Sequence, residues 1–142
     1  MIIDFFVPGI PKPGGSKTPF RTKYGKIVMV DACKKSPDWK MAVVNACQKV
    51  FDGVLFMGPL RVDFVFYMPR PKGHFKTGRN AGGLKGTAPL HPDVRPDRTK
   101  LLRCTEDALK GVLWKDDSQV VAGRVEKRYG DPPGARIVVT RL

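Results

Sequence analysis

The fold is decided by residues 95–127, which read RPDRTKLLRCTEDALKGVLWKDDSQVVAGRVEK. Apolar and small side chains recur at helical spacing after Asp97, a residue type that commonly caps a helix, and Gly111 is typical of a helix end. An acidic pair at 116–117 follows a short apolar link, and the apolar residues of 119–127 predict a strand. The stretch therefore predicts a helix, a tight turn and a strand in immediate succession.

Apolar patterning and turn residues predict the other elements. In chain order they are strand 2–7, loop 8–16, hairpin 22–30, helix 37–51, strand Leu60–Met68 and strand 135–141. The hairpin is expected to turn around Tyr24 and Gly25. The helix is expected to have Ser36 as its cap and an apolar face of Met41, Val44, Val50 and Phe51. Strands that alternate with helices predict a layered fold. We therefore expect an α/β (α+β) single domain over residues 1–142, with a mixed β-sheet and two main helices.

The composition limits the class of protein. With 142 residues, 42% of them hydrophobic, the chain can bury one core, and its longest apolar runs are too short to span a bilayer. Three cysteines are too few for a disulfide framework or a zinc site, and no secretion signal opens the sequence. We therefore expect no membrane partner and a cytoplasmic location, in a bacterium or in a phage-infected host cell.

The charge of the chain points to a polyanionic partner. There are 26 lysine and arginine residues against 13 aspartate and glutamate residues, which gives a net charge of +13. Nucleic acid is the leading candidate for the partner, and an anionic membrane surface is the second.

Region 69–96 is rich in proline, glycine and basic residues. Between residues 70 and 85 it holds five lysine and arginine residues and no acidic one. This composition does not form a core and predicts a flexible basic loop within the domain. The loop suits a flap that follows a phosphate backbone, and a plain flexible insertion would have the same composition.

The acidic residues are concentrated in one segment, since six of the thirteen fall between 93 and 117. One explanation is a solvated helix face that balances neighbouring cations. The other is a divalent-metal site inside a DNA-binding surface, because carboxylate oxygens can hold Mg²⁺ against a phosphate. In that case Asp97 precedes the helix, Arg103 supplies a cation inside it, and 116–117 supplies further carboxylates if the chain doubles back.

The order of these residues is more specific than their types. Asp97 is followed six residues later by a helix cation, 107–109 read Asp-Ala-Leu, and 114–120 read Trp-Lys-Asp-Asp-Ser-Gln-Val. This order resembles the RusA family of Holliday-junction resolvases. The resemblance implies a Mg²⁺-dependent endonuclease, with Mn²⁺ as a substitute and no small-molecule cofactor. It would resolve four-way junctions and other branched DNA by paired symmetric nicks, as a homodimer, in recombination and repair.

The resemblance also implies roles for individual residues. The first and last metal-binding aspartates of the family fall on Asp97 and Asp117, with Asp116 as the adjacent acid. The family's helix lysine falls on Arg103, which can clamp a phosphate but cannot donate a proton at neutral pH. The resemblance thus gives a catalytic set of Asp97, Arg103 and Asp117.

The sequence departs from the family pattern at 99 and 100. Thr99 stands where the family has a second aspartate, so the implied metal site lacks one charge. Either Asp93, Asp107 or Glu106 replaces that charge, or the protein is a non-catalytic or weakly catalytic protein that binds branched DNA. The full expectation for metal ligands is Asp97, Asp116, Asp117, Asp93 and Asp107, and for DNA contacts it is Lys72, Lys76, Arg79, Lys85, Arg95, Arg98 and Lys100.

Overall fold

The computed structural model describes residues 2–14, 17–21, 23–31 and 35–142, with only the backbone described for 17–20 and 27–31. The strands are β1 (Ile2–Pro8), β2 (Lys17–Arg21), β3 (Ile27–Asp31), β4 (Leu60–Met68), β5 (Val120–Ala122), β6 (Val125–Tyr129) and β7 (Gly134–Arg141). The helices of the described part are α1 (Ser36–Gln48) and α2 (Arg98–Leu109), with short 3-10 turns at Lys72–His74, Gly78–Asn80 and Asp117–Gln119. The predicted α+β single domain with a mixed sheet and two main helices is confirmed.

The main sheet has five strands. β1 pairs with β7 and β7 with β4, both antiparallel, while β5 and β6 pair in parallel with β4 along its other edge. Alternate residues of β4 are buried from Leu60 to Met68, which is the pattern of a strand with one face on a core. β2 and β3 form a separate antiparallel hairpin around the predicted turn, but its first strand begins earlier than the sequence indicated.

The strand predicted at 119–127 is interrupted, so the prediction of one continuous strand there is wrong. β5 ends at Ala122, and Gly123 has a φ of +145° that favours glycine. A Cβ at Gly123 would overlap the carbonyl oxygen of Val62 on the neighbouring strand. Beyond the break, the Asp63 carboxylate accepts a hydrogen bond from the Arg124 N–H at 2.8 Å, which fixes the start of β6.

Helices α1 and α2 pack against each other and cover the inner face of the sheet. The Trp39 indole N–H donates to the Thr105 hydroxyl at 3.1 Å between the two helices. The predicted cap of α1 is wrong by one position: Lys35 is the capping residue, and Ser36 is buried beside the thiol of Cys104. Met41 and Val50, both expected on the apolar face, are exposed instead, and the helix ends at Gln48 rather than at residue 51 as predicted.

α2 is the crossover that joins the parallel strands β4 and β6, because parallel neighbours require such a connection. β1 also runs parallel to β4, since each is antiparallel to β7. The carboxyl ends of β1, β4 and β6, at Pro8, Met68 and Tyr129, therefore meet at one edge of the sheet. No helix in the described part of the chain is long and apolar enough to cross a membrane.

Candidate active site and DNA-binding surface

Asp97 occupies the position just before α2, as the sequence predicted. Its backbone is extended and its side chain makes no capping hydrogen bond to the helix. Instead the carboxylate lies 3.8 Å from the ammonium of Lys100 and is 61% exposed. The Asp97 carboxylate is therefore accessible from solvent and available to a ligand.

The segment before Asp97 is fastened to β6. The Lys127 ammonium donates to the carbonyls of Val94 and Pro96 at 2.7 and 2.9 Å, and the Arg98 guanidinium donates to the Val125 carbonyl at 3.1 Å. These contacts hold the chain on both sides of Asp97. No sequence pattern indicates this role of Lys127, because its partners are backbone carbonyls more than thirty residues away.

A cavity of about 580 Å³ opens beside Asp97. Arg95 and Lys100, two of the expected DNA contacts, line it together with Lys12 and with apolar residues that include Ile10. The structure thus brings three of the predicted functional residues (Asp97, Arg95 and Lys100) to one cavity.

The acidic pair lies in the 3-10 turn after α2. The Asp116 carboxylate accepts the Ser118 N–H at 2.9 Å, and this hydrogen bond, followed by the charge of Lys110, lowers the pKa of Asp116. The Asp117 carboxylate accepts the indole N–H of the fully buried Trp114 at 2.8 Å. Asp116 is therefore held by the backbone of its own turn, and Asp117 by a buried indole.

Gln119 locks this turn to the rest of the domain. Its side-chain carbonyl accepts the N–H groups of Lys115 and Asp116 at 2.9 and 3.0 Å. Its side-chain NH₂ donates to the carbonyls of Phe56 and Gly58 at 2.8 and 3.1 Å. Gln119 was part of the quoted motif, but the motif gave it no role; the structure shows that it ties the acidic turn to the loop before β4.

Glu106 is half-buried on α2. Its burial, and then the charges of Asp117 and Asp107, raise the pKa of Glu106 to about 7. Positions 99, 103 and 106 follow helical spacing, so Glu106 lies on the same side of α2 as Thr99 and Arg103. Arg103 is exposed there.

The five expected metal ligands are distributed along this crossover region. Asp107 lies 3.9 Å from the Lys40 ammonium of α1, and Asp93 is an exposed residue of the loop before α2. Among the residues that the structure describes, no three histidine, cysteine, aspartate or glutamate side chains lie close enough together to hold a metal ion. Glu106 lies about 14 Å along the helix axis from Asp97, at nine residues of 1.5 Å rise each.

The cations of the predicted basic loop are on the surface. Its expected DNA contacts are all exposed, namely Lys72, Lys76, Arg79 and Lys85. The loop folds back on itself through a bridge between Phe75 and Leu84. It is anchored at its start by Arg70, whose guanidinium stacks 4.4 Å from the ring centroid of Tyr129 and donates to the Pro89 carbonyl at 2.8 Å.

Comparison with known proteins identifies the family. The sequence profile of endodeoxyribonuclease RusA matches residues 8–140, nearly the whole chain. The chain belongs to the RusA family. It is also 30% identical, over 145 aligned residues, to the uncharacterized protein YqaN of Bacillus subtilis (strain 168), and the alignment covers 99% of this chain and 96% of that relative. The family membership expected from the motif is thereby confirmed, and it implies endodeoxyribonuclease activity.

Proposed function

We propose that this RusA-family protein is a Mg²⁺-dependent endonuclease that resolves four-way DNA junctions by paired nicks. The family match over residues 8–140 is the observation that carries the proposal. A net charge of +13 supports a DNA substrate, because neutralising phosphates releases counterions and drives binding. Two symmetric nicks favour a homodimer with a two-fold axis, and a DNA-processing role favours the cytoplasm.

The candidate ligands suit Mg²⁺ by their chemistry. All are carboxylates, the hard oxygen donors that this ion prefers, and Mn²⁺ accepts the same donors. Mg²⁺ is commonly held by one or two carboxylates, waters and substrate phosphates rather than by a closed protein cage. The lack of a three-residue cluster among the described side chains is therefore compatible with an ion held jointly by protein and DNA.

Phosphodiester hydrolysis divides the roles between carboxylates and cations. We assign Asp97 and Asp117 as ligands, with Asp116 as the acid next to them. When bound, the metal would lower the pKa of a water molecule and offset the charge on the leaving oxygen. Arg103, exposed on α2, would clamp the scissile phosphate with two parallel N–H donors.

Glu106 lies two helical turns beyond Thr99, so we propose that it supplies the compensating charge beside Asp117 rather than at the position of Thr99 itself. It is half-buried on the side of α2 that carries the exposed Thr99 and Arg103, and the charge of Asp117 acts on it. Asp107 is already paired with Lys40. We therefore favour Glu106 over Asp107 as the compensating carboxylate.

The decisive experiment follows cleavage of a synthetic four-way junction with and without Mg²⁺. Asp97→Asn and Asp117→Asn should each reduce cleavage by roughly 100-fold or more, because each removes a ligand charge. Both should bind the junction as tightly as wild type or more tightly, because each also removes a repulsion against phosphate. Asp52→Asn, an exposed aspartate after α1, is the matched control and should cut normally.

Retained cleavage in either variant at saturating Mg²⁺ would contradict the assignment of that aspartate. The alternative function, a branched-DNA-binding protein without strong catalysis, would be supported if the wild type binds the junction but cuts it with neither Mg²⁺ nor Mn²⁺.

A further inference from the structure

Three cavities lie side by side between Asp97 and the basic loop. The first, of about 580 Å³, shares Ile10, Met68 and Arg95 as lining residues with a second of about 190 Å³. The second shares Pro69 and Tyr129 with a third of about 390 Å³. Because neighbouring cavities share lining residues, they lie next to one another along the surface, and we call this row of three cavities the strand-end groove.

The strand-end groove follows the carboxyl ends of the three parallel strands. Its residues come directly after β1, at the end of β4 and at the end of β6, where Pro8, Met68 and Tyr129 terminate the strands. Open sheets with parallel strands commonly bind their ligands at this edge. The groove thus lies where the fold favours a binding site.

The walls of the groove are mainly apolar. Ile10, Met68 and several prolines line the first two cavities, and Phe75, Leu84 and Tyr129 line the third. Apolar and aromatic surfaces of this kind accept unpaired bases, which stack on them whatever their sequence. A fully paired duplex keeps its bases inside the double helix and cannot use such walls.

The charged residues of the groove are mostly cations. Two carboxylates, Asp97 and Asp131, line it. Against them stand four cationic side chains, Lys12, Arg70, Arg95 and Lys100. A ligand with apolar faces and a repeated negative charge complements both the walls and these cations, and a strand of DNA has that chemistry.

We propose that the strand-end groove binds a short unpaired segment of one DNA strand next to the branch point. This inference rests on the proposed function and specifies how its substrate is recognised. Asp97 lines the first cavity, so a strand that enters the groove brings its backbone to the candidate catalytic carboxylate. Unpaired nucleotides at a branch enter without the cost of breaking base pairs, which would favour branched DNA over duplex.

The test measures binding of the full-length protein, without divalent metal, to a fluorescent oligothymidylate of about ten nucleotides and to a duplex. Ile10→Gln removes the apolar wall shared by two cavities without changing the charge. It should weaken binding to the oligothymidylate by roughly three- to tenfold and leave duplex affinity unchanged. The matched control is Ile2→Gln, at the opposite end of β1 from the groove, which should bind both probes as wild type does. Both isoleucines are largely exposed, at 45% and 65%, so the fold tolerates either change.

A second variant tests the cationic rim. Lys12→Gln should reduce the slope of log affinity against log salt for the oligothymidylate by about 0.7, the value for one phosphate contact on a single strand. An unchanged slope would overturn the placement of the backbone along this rim. Equal affinity of wild type and Ile10→Gln for the oligothymidylate, or an equal loss for both probes, would overturn the proposal.

The binding test is independent of cleavage. A wild-type protein that does not cut junctions but shows Ile10-dependent binding of the single strand would refute the proposed function and support the groove. An Ile10→Gln variant that binds the single strand and cuts junctions as wild type would refute the groove and leave the proposed function intact.

Discussion

Replacing Gln119 by leucine is expected to loosen the acidic turn at its anchor. The change keeps the approximate size of the side chain and removes all four of its hydrogen bonds, two to N–H groups of the turn and two to carbonyls of the loop before β4. One of the partners, Asp116, belongs to the acidic turn itself. Another, Phe56, forms a β-bridge with Trp114, which precedes that turn. Gln119→Leu therefore disconnects the turn that carries Asp117 from its support.

The expected cost follows from the number of bonds. A protein hydrogen bond contributes about 0.5–1.5 kcal/mol net, so four would give about 2–6 kcal/mol. The side chain is only partly buried, and the released N–H and carbonyl groups can turn towards water. We therefore expect the low end, a loss of about 2–3 kcal/mol in the free energy of unfolding, or roughly 6–10 °C in Tm for a chain of this length.

Urea denaturation measures this loss, with Gln48→Leu at the exposed end of α1 as the matched control. The control should stay within about 0.5 kcal/mol of wild type. In cleavage assays at a temperature where both variants are folded, Gln119→Leu should lower kcat while its affinity for junctions in the absence of metal stays unchanged. If Gln119→Leu is no less stable than Gln48→Leu, the hydrogen bonds of Gln119 do not support the turn and the reasoning fails.

Two further predictions concern pH and the strand break. Burial, and then the charge of Asp117, raise the pKa of Glu106 to about 7. The protonated carboxyl of Glu106 therefore stabilises the folded state relative to the ionised carboxylate. This contribution to the free energy of unfolding is present below pH 4.5 and is lost as pH rises through 7. After a discount for its half exposure, Glu106→Gln should raise the free energy of unfolding above pH 7 by about 1–2 kcal/mol. The decline of that free energy between pH 4.5 and 7 should be smaller in the variant than in wild type. Urea denaturation at several pH values measures both, and a pH profile identical to that of wild type would contradict the prediction. Gly123→Ala should lower the free energy of unfolding by about 3 kcal/mol or more, because its Cβ would overlap the Val62 carbonyl. Gly86→Ala, with open space around it, is the control and should change stability by less than about 0.5 kcal/mol. Thermal or urea unfolding measures both, and equal effects would rule out a steric cause.

The parts of the fold that the sequence predicted correctly are those fixed by local patterning. β4 was predicted to the residue, because apolar and charged residues alternate at its start, valine and phenylalanine are frequent in the rest, and a proline follows Met68. The break at Gly123 could not be predicted, because it depends on how closely the Val62 carbonyl approaches from another strand. The buried face of α1 was misjudged for a similar reason: the contact with α2 selects Trp39 and Val43, a choice that the apolar residues of α1 alone do not determine.

In the candidate site, too, local sequence patterns were predictable and long-range contacts were not. The motif predicts roles for Asp97 and Asp117 by residue type and order; family membership is established, and the roles of the two aspartates stay predictions. The side chains that hold these aspartates in place act over long distances in the sequence: Lys127 reaches back 31 and 33 residues, and Gln119 reaches back more than 60. A lysine or glutamine on the surface gives no sign in the sequence of which distant carbonyl it will bind.

The placement of the candidate site follows from the topology rather than from any one side chain. Because β4 and β6 are parallel, the chain must leave the carboxyl end of β4, cross the sheet as α2 and return at the opposite edge. That path brings the basic loop, Asp97 and the strand-end groove to the carboxyl edge, and it brings the acidic turn in front of β5. A substitution such as threonine for aspartate at 99 changes the charge along this path and leaves the path itself unaltered. A change of charge on α2, at Thr99 or at Glu106, therefore does not alter the connection between β4 and β6, because that connection is set by the pairing of parallel strands.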